Sequence, residues 1–318
     1  FGQRLLRRFC VLQRLLPLYL VDLSINLLSI IGCCSSIVTW LTKPYVKEIL
    51  KTLANEILIK FSGGIKMSDY DPEWYKSFFG PEYLNIYAHV FGEEESGKQA
   101  TFVQKVLKLK EGNEVLDLCC GQGRISIPLA RNGIRVTGLD FSNDLLSIAR
   151  SKASNSGVQI KTIESDMRDI PFDCKFDAVI SIFTALGYFE SDAEDQKVLN
   201  AVAKSLKKGG LALFDLLNRD WVVANHMPRE WRKNDKEVIY LEERKWDPLE
   251  GRSHINFKII YPDGSVTETG HHIRLYVATE FNSMLERAGL SLERAYGGYD
   301  ENPFEISGKR MIIIARKD

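Results

Sequence analysis

The chain has 318 residues, 45% of them apolar and 26% charged, the proportions of an ordinary globular protein with room for one large α/β domain plus an addition, or for two domains. Its formal net charge is zero, yet residues 1–66 hold nine Lys/Arg against three acids, so the remainder is acidic and lacks the electrostatic footprint of a phosphate-backbone binder. None of the six cysteines is spaced as C-x-x-C, which speaks against a zinc knuckle or a disulfide framework and for small buried thiols in a reducing compartment.

The first 66 residues form a separate, basic and hydrophobic extension. Leu23 to Leu41 contains no charged residue and is about long enough to cross a bilayer as a helix, with Arg4, Arg7, Arg8 and Arg14 ahead of it as on the cytoplasmic side of an anchor. Against that stands Met67, the first methionine, whose run Met67-Ser-Asp-Tyr-Asp-Pro-Glu-Trp-Tyr75 opens like a soluble enzyme. Gly63-Gly64 is encoded by GGNGGN, which resembles a bacterial ribosome-binding site. The expectation is that residues 1–66 are translated upstream sequence and that the protein is cytoplasmic. A membrane anchor through residues 23–41 is the alternative.

Residues 67–220 read as a helical cap followed by a cofactor-binding core. Residues 70–110 carry apolar side chains at helical spacing, as in Tyr83-Leu-Asn-Ile-Tyr87 and Phe102-Val-Gln-Lys-Val-Leu107. Alternation then predicts strand 114–119, helix 123–132, strand 135–140, helix 143–154, strand 158–163, strand 176–182, helix 192–207 and strand 210–217, a parallel sheet with right-handed crossovers. Ser142 fits an N-cap, and Gly133 and Gly209-Gly210 fall where helices are expected to end.

The first two strands carry the chemistry. Glu114-Val-Leu-Asp-Leu-Cys-Cys-Gly-Gln-Gly-Arg124 is an apolar strand with a tight glycine turn, and Val136-Thr-Gly-Leu-Asp140 is a second strand ending in a carboxylate. Such an arrangement holds a nucleoside-bearing cofactor at the carboxyl edge of a parallel sheet, the second acid binding ribose hydroxyls. Ser126 stands where G-x-G-x-x-G needs its third glycine, which argues against NAD or FAD.

These residues resemble motif I of the class I S-adenosylmethionine-dependent methyltransferases, an acid and small residues followed by G-x-G. The resemblance implies S-adenosyl-L-methionine as cofactor. Asp117, Cys119, Gly121 and Gly123 would face its amino-acid half, and Asp140 with Phe141 its ribose side. Asp166 and Met167, after the third strand, would meet the adenine, Asp166 accepting from its amino group. Ser181 and Phe183 open the segment Ser181-Ile-Phe-Thr-Ala-Leu-Gly-Tyr-Phe189, which should face the reacting methyl and is not the [DN]-P-P-[YF] run of nucleic-acid base methylases. Tyr83, in the helical cap, would cover cofactor or substrate, with Tyr87 a second candidate. The family also implies a Rossmann-like seven-stranded sheet with helices on both faces, order 3-2-1-4-5-7-6, its last strand antiparallel.

Beyond the fifth strand, residues 221–277 read as an antiparallel β insertion with strands Glu237–Trp246, Ser253–Tyr261 and Ser265–Tyr276, Pro262-Asp263-Gly264 turning between the last two. It is expected to serve as a lid, a substrate wall or a homodimer contact. Residues 278–318 supply a helix at 279–288 and the strands 291–297 and 309–316. Adjacent His271 and His272 point to opposite strand faces, so His272 shares a face with Arg274 and Tyr276. That trio is the candidate acceptor-contacting, catalytic group, with Arg274 able to hold a carboxylate or phosphate. No metal is expected.

The function that follows is methyl transfer to the N, O or C atom of a small molecule by in-line displacement, without nucleic acid as partner. The alternatives are an RNA or protein methyltransferase and a noncatalytic scaffold that binds the same cofactor.

Overall fold

Short apolar strands alternating with one-faced helices leave few ways to bury both faces of a sheet, and the chain takes the expected one. The computed structural model describes residues 74–90 and 92–318, so the extension 1–66 and its candidate anchor at 23–41 lie outside the described residues. Two short helices, α1 (Trp74–Phe78) and α2 (Pro81–Ile86), precede α3 (Glu93–Val106); Pro81 starts α2 at a position whose N–H would have no helical partner. The core then runs β1 (Glu114–Leu118), α4 (Ser126–Arg131), β2 (Arg135–Asp140), α5 (Asn143–Asn155), β3 (Lys161–Glu164), β4 (Phe176–Ser181), α6 (Asp192–Ser205) and β5 (Leu206–Leu217). After α7 (Arg219–Ala224) come β6 (Arg229–Lys233), β7 (Ile239–Asp247), β8 (Arg252–Ile260) and β9 (Val266–Arg274), then α8 (Ala278–Arg287), β10 (Leu290–Tyr296) and β11 (Arg310–Lys317).

The main sheet has the order β10-β11-β5-β4-β1-β2-β3, which is the expected 3-2-1-4-5-7-6 read from the other edge. β1 pairs in parallel with β2 and β4, β2 with β3 and β4 with β5, while β11 runs antiparallel to both β5 and β10. Alternate residues feed two cores. Leu116, Leu118, Val179 and Phe214 pack under α6 and α8 with Leu199, Val202 and Phe281, whereas Val115, Ile180 and Leu213 pack under α3 and α4 with Phe102, Val103 and Leu129. The Ser142 hydroxyl caps α5 by accepting from the Leu145 amide, as its position predicts.

Gly209-Gly210 departs from expectation. The helix before it stops at Ser205, and both glycines belong to β5, where pairing jumps from Phe176–Leu206 to Ala178–Leu211. Gly209 keeps its left-handed φ of 74°, serving a bulge instead of a helix end.

The insertion is a four-stranded antiparallel sheet, β6-β7-β8-β9, one strand more than expected. β6 is Arg-Glu-Trp-Arg-Lys, whose charges hide the period of two that marked its neighbours. Trp74, Phe78 and Ile86 of the helical cap share a core with Tyr240, Phe257 and Ile259 of this sheet. The Tyr261 hydroxyl donates to Glu82 at 2.9 Å, and Arg232 donates to the Ile86 carbonyl. The insertion therefore buttresses the cap. Among the described residues no helix is long and apolar enough to cross a membrane.

Candidate active site

The carboxyl ends of β1, β2 and β4 point into one cleft, as a change of winding direction beside β1 requires. Asp117, next to last in β1, is almost fully buried, and Ser126, first residue of α4, donates to its Oδ2 at 2.6 Å. Burial pushes the Asp117 carboxyl up to about 6, against the lowering effects of the Ser126 bond and the nearby Arg124. The residue that broke the dinucleotide fingerprint thus has a task of its own, holding this carboxylate.

Asp140, the last residue of β2, closes the glycine turn: its Oδ2 accepts from the Gly121 amide at 2.8 Å and its Oδ1 from the Ser142 amide at 2.9 Å. Burial raises its pKa, and these backbone bonds work against the rise. Each carboxylate oxygen keeps a further lone pair for a ligand hydroxyl. Cys119, Gly121 and Gly123 all adopt positive φ, of 59°, 52° and 78°, which bends the chain tightly around the cleft floor.

The cleft, about 730 Å³ including its open mouth, is lined by Cys119, Gly121, Asp140, Phe141, Asp166 and Met167 on the core side. Tyr75, Phe79 and Tyr83 from the cap face them across it, and Phe183, Thr184, Tyr188 and Phe189 follow from the segment after β4. It continues into a smaller hollow bounded by Asp117, Gln122 and Arg124, with Cys119, Tyr83 and Phe183 common to both. The aromatic walls lock edge to face: Tyr75 meets Phe141 at 5.7 Å and Phe189 at 5.8 Å, and Phe79 meets Tyr188 at 5.2 Å.

Asp166 is already engaged. Its Oδ1 accepts from the Arg168 amide and Nε, and its Oδ2 from Arg168 Nη2 at 2.7 Å. Burial opposes ionisation there, but the Arg168 bonds and charge outweigh it and hold the carboxyl below its ordinary range. Arg168 also lies 4.2 Å from the centre of the Phe189 ring.

Two of the expected cofactor residues stand apart from the cleft lining. At Gly123 a side chain would crowd Ala149 and Ile127, behind the turn. Ser181 is buried at the end of β4, its hydroxyl without a hydrogen-bond partner among the described residues. Tyr87 likewise sits behind the lining, its hydroxyl 3.0 Å from His271 Nε2 and its ring 5.5 Å from Phe183.

None of His272, Arg274 and Tyr276 lines the cleft. His272 packs on Trp74 at 4.7 Å, and burial lowers its pKa to about 4. Arg274 pairs with Asp192 at 3.3 Å and Glu280 at 3.2 Å. β9 ends at Arg274, so the period of two no longer carries Tyr276; its hydroxyl lies between Asp192 and Asp195, at 3.0 and 2.7 Å. Asp195 in turn accepts from the Gly187 amide, and the Gly187 carbonyl accepts from the Arg274 amide. The group braces the segment 181–189 from behind. A side chain at Gly187, φ 100°, would collide with the Arg274 carbonyl.

Thr184, Tyr188 and Phe189 belong to the segment expected to face the methyl, though only Ser181 and Phe183 were singled out in it, while Tyr75, Phe79 and Arg124 were not anticipated as lining residues. The dense aromatic run Trp74-Tyr75 and Phe78-Phe79 was a visible signal, and Arg124 directly follows the G-x-G turn.

A largely parallel sheet whose first two strands carry buried acids at their carboxyl ends around a glycine turn defines a nucleoside-cofactor enzyme. Residues 115–210 match the family model described as a methyltransferase domain. YqeM of Bacillus subtilis (strain 168), whose name proposes a methyltransferase, is 29% identical over 220 residues, 66% of this chain and 86% of that protein. The cypemycin N-terminal methyltransferase of a Streptomyces species is 27% identical over 217 residues, 65% of this chain and 84% of that protein. The solved CcbJ methyltransferase of Streptomyces caelestis has the same fold, with a TM-score of 0.67 at 21% identity over 78% of this chain and 99% of that one. The chain belongs to the class I S-adenosylmethionine-dependent methyltransferases, and S-adenosyl-L-methionine is its cofactor.

Proposed function

We propose that the enzyme methylates a small-molecule amine in the aromatic part of the cleft. The cofactor fits the groups present. Asp117 and Arg124 offer one negative and one positive group to the two ends of an amino acid, and Asp140 offers lone pairs to ribose hydroxyls. Phe141, Asp166 and Met167, which line the same cleft, are assigned in this reading to the adenine. When bound, the cofactor supplies a methyl group carried on a positively charged sulfur. The protein's part is to fix the acceptor's lone pair along that bond and to exclude water.

One observation carries the choice of an amine. Among the described residues the cleft lining holds no histidine, glutamate or lysine. Tyr83, Tyr188, Cys119 and Cys120 in that lining are pushed up by burial. Asp117, Asp140 and Asp166 are committed to the cofactor in this reading. With no histidine, glutamate or lysine to take a proton, the acceptor must bring a lone pair free of one, as a neutral amine or a carboxylate does, and the aromatic walls favour the neutral amine over a buried charge. A relative named for N-terminal methylation supports the same chemistry. The outer face of the second sheet, where Trp231 and Val266 are half exposed, is the surface on which a homodimer would form, read by sedimentation.

Transfer of a labelled methyl group to a panel of amines, phenols and carboxylic acids tests the reading. Amines should be methylated, with kcat/KM rising with pH through the acceptor's own pKa. Methylation of phenols or acids and of no amine overturns it.

A further inference from the structure

Phe183 and Thr184 are consecutive non-glycine residues in the left-handed region, with φ of 67° and 59°. Such backbone costs free energy and persists only where neighbours hold it. Here the holder is Asp215, 1% exposed in β5: its Oδ2 accepts from the Phe183 amide at 2.9 Å and its backbone carbonyl from the Thr184 amide at 2.8 Å. Asp215 is held in turn by Arg310 Nε at 2.6 Å and the Tyr299 hydroxyl at 2.6 Å.

Arg310 also donates from Nη2 to the Thr184 hydroxyl oxygen at 2.8 Å. Thr184 is 5% exposed and lines the cleft beside Phe183 and Tyr188. An oxygen that accepts from a guanidinium must send its own hydrogen elsewhere. Among the described residues that hydrogen has no acceptor.

We infer that Thr184 donates a hydrogen bond to an oxygen of the methyl acceptor next to its nucleophilic nitrogen, and that Asp215 and Arg310 are the positioning residues which aim it. The inference rests on the amine reading and narrows it to amines with a neighbouring hydroxyl, ether or carbonyl oxygen. The strained turn has a purpose in these terms: it brings a buried, pre-oriented donor to the cleft wall, where an acceptor lacking that oxygen leaves the donor unmatched.

A matched pair of probes tests it, trans-2-aminocyclohexanol and cyclohexylamine, with labelled S-adenosylmethionine as donor. The wild type should favour the amino alcohol at least tenfold in kcat/KM. Thr184→Val should lose that preference, Thr184→Ser should keep it, and Arg310→Lys should reduce it without abolishing cofactor binding. The wild-type comparison needs no variant, so a Thr184→Val protein that fails to fold leaves the test intact. Equal rates for the two probes, or a preference that survives in Thr184→Val, overturn the inference while the amine reading stands. Methylation of neither probe by protein that binds the cofactor overturns both.

Discussion

Ser126 donates a 2.6 Å hydrogen bond to Asp117 across the first turn of the fold, and both side chains are buried. A bond to a charged, buried group is worth about 1.5–3 kcal/mol. Ser126→Ala is therefore expected to raise the Asp117 pKa and to weaken S-adenosylmethionine binding at neutral pH by about 1–2 kcal/mol. Calorimetry on folded protein measures it, and unchanged affinity would remove Asp117 from the cofactor site.

Asp117 also sets a pH dependence. Its folded pKa of about 6 lies above the ordinary carboxylate value, so its favourable contribution to stability is full below pH ~4 and is lost as pH rises through about 6. Cofactor binding runs the other way, because the ionised form faces the cofactor's ammonium. Affinity should rise between pH 5 and 7, roughly those bounds following from the same pKa, and Asp117→Asn should flatten the profile.

Asp140 accepts on both oxygens from backbone amides. Asp140→Asn must turn an N–H toward either Gly121 or Ser142, so this near-isosteric change is expected to cost almost as much as Asp140→Ala. We expect roughly 1–3 kcal/mol of cofactor affinity in both. An Asn variant that binds as the wild type would show that the turn tolerates a lost acceptor.

His271 is buried against Trp74, Phe78 and Tyr87, and a protonated ring would leave an N–H at Nδ1 without an acceptor. Burial, then the charges of His272, Arg244 and His254, lowers its pKa to about 3. A base depressed in this way stabilises the fold above its unfolded pKa of about 6.5 and loses that contribution as pH falls toward 3. Acid should therefore loosen the cap before the main sheet. Hydrogen exchange should show α1 and α2 losing protection ahead of β1 and β4, and His271→Gln should shift that loss to lower pH.

Gly187 is braced by Asp195 and Arg274. Gly187→Ala is expected to destabilise by about 1–3 kcal/mol and to slow methyl transfer more than it weakens cofactor binding, since the strain falls on the acceptor wall. Thermal melts and separate kcat and KM values measure the two effects.

The sheet was legible because its strands are buried on both faces and its helices carry one apolar stripe, so period and order coincide. Asp117, Gly121 and Asp140 were legible because a turn that admits a ligand needs those residue types at that spacing. What escaped was set by tertiary contact. β6 is a charged edge strand, and Tyr75 and Phe79 face the cleft from a cap that shares its apolar core with the second sheet. His272, Arg274 and Tyr276 made a plausible polar face, but an edge of acids from α6 and α8 claims Arg274 and Tyr276. Thr184 lies in the segment expected to face the methyl but does not stand out within it, as its role depends on Arg310, 126 residues away.

Calorimetric titration of the purified protein with S-adenosylmethionine tests the central claim most directly. The account predicts micromolar binding that Asp140→Ala abolishes or weakens at least fivefold. Binding of NAD with no binding of S-adenosylmethionine would contradict it.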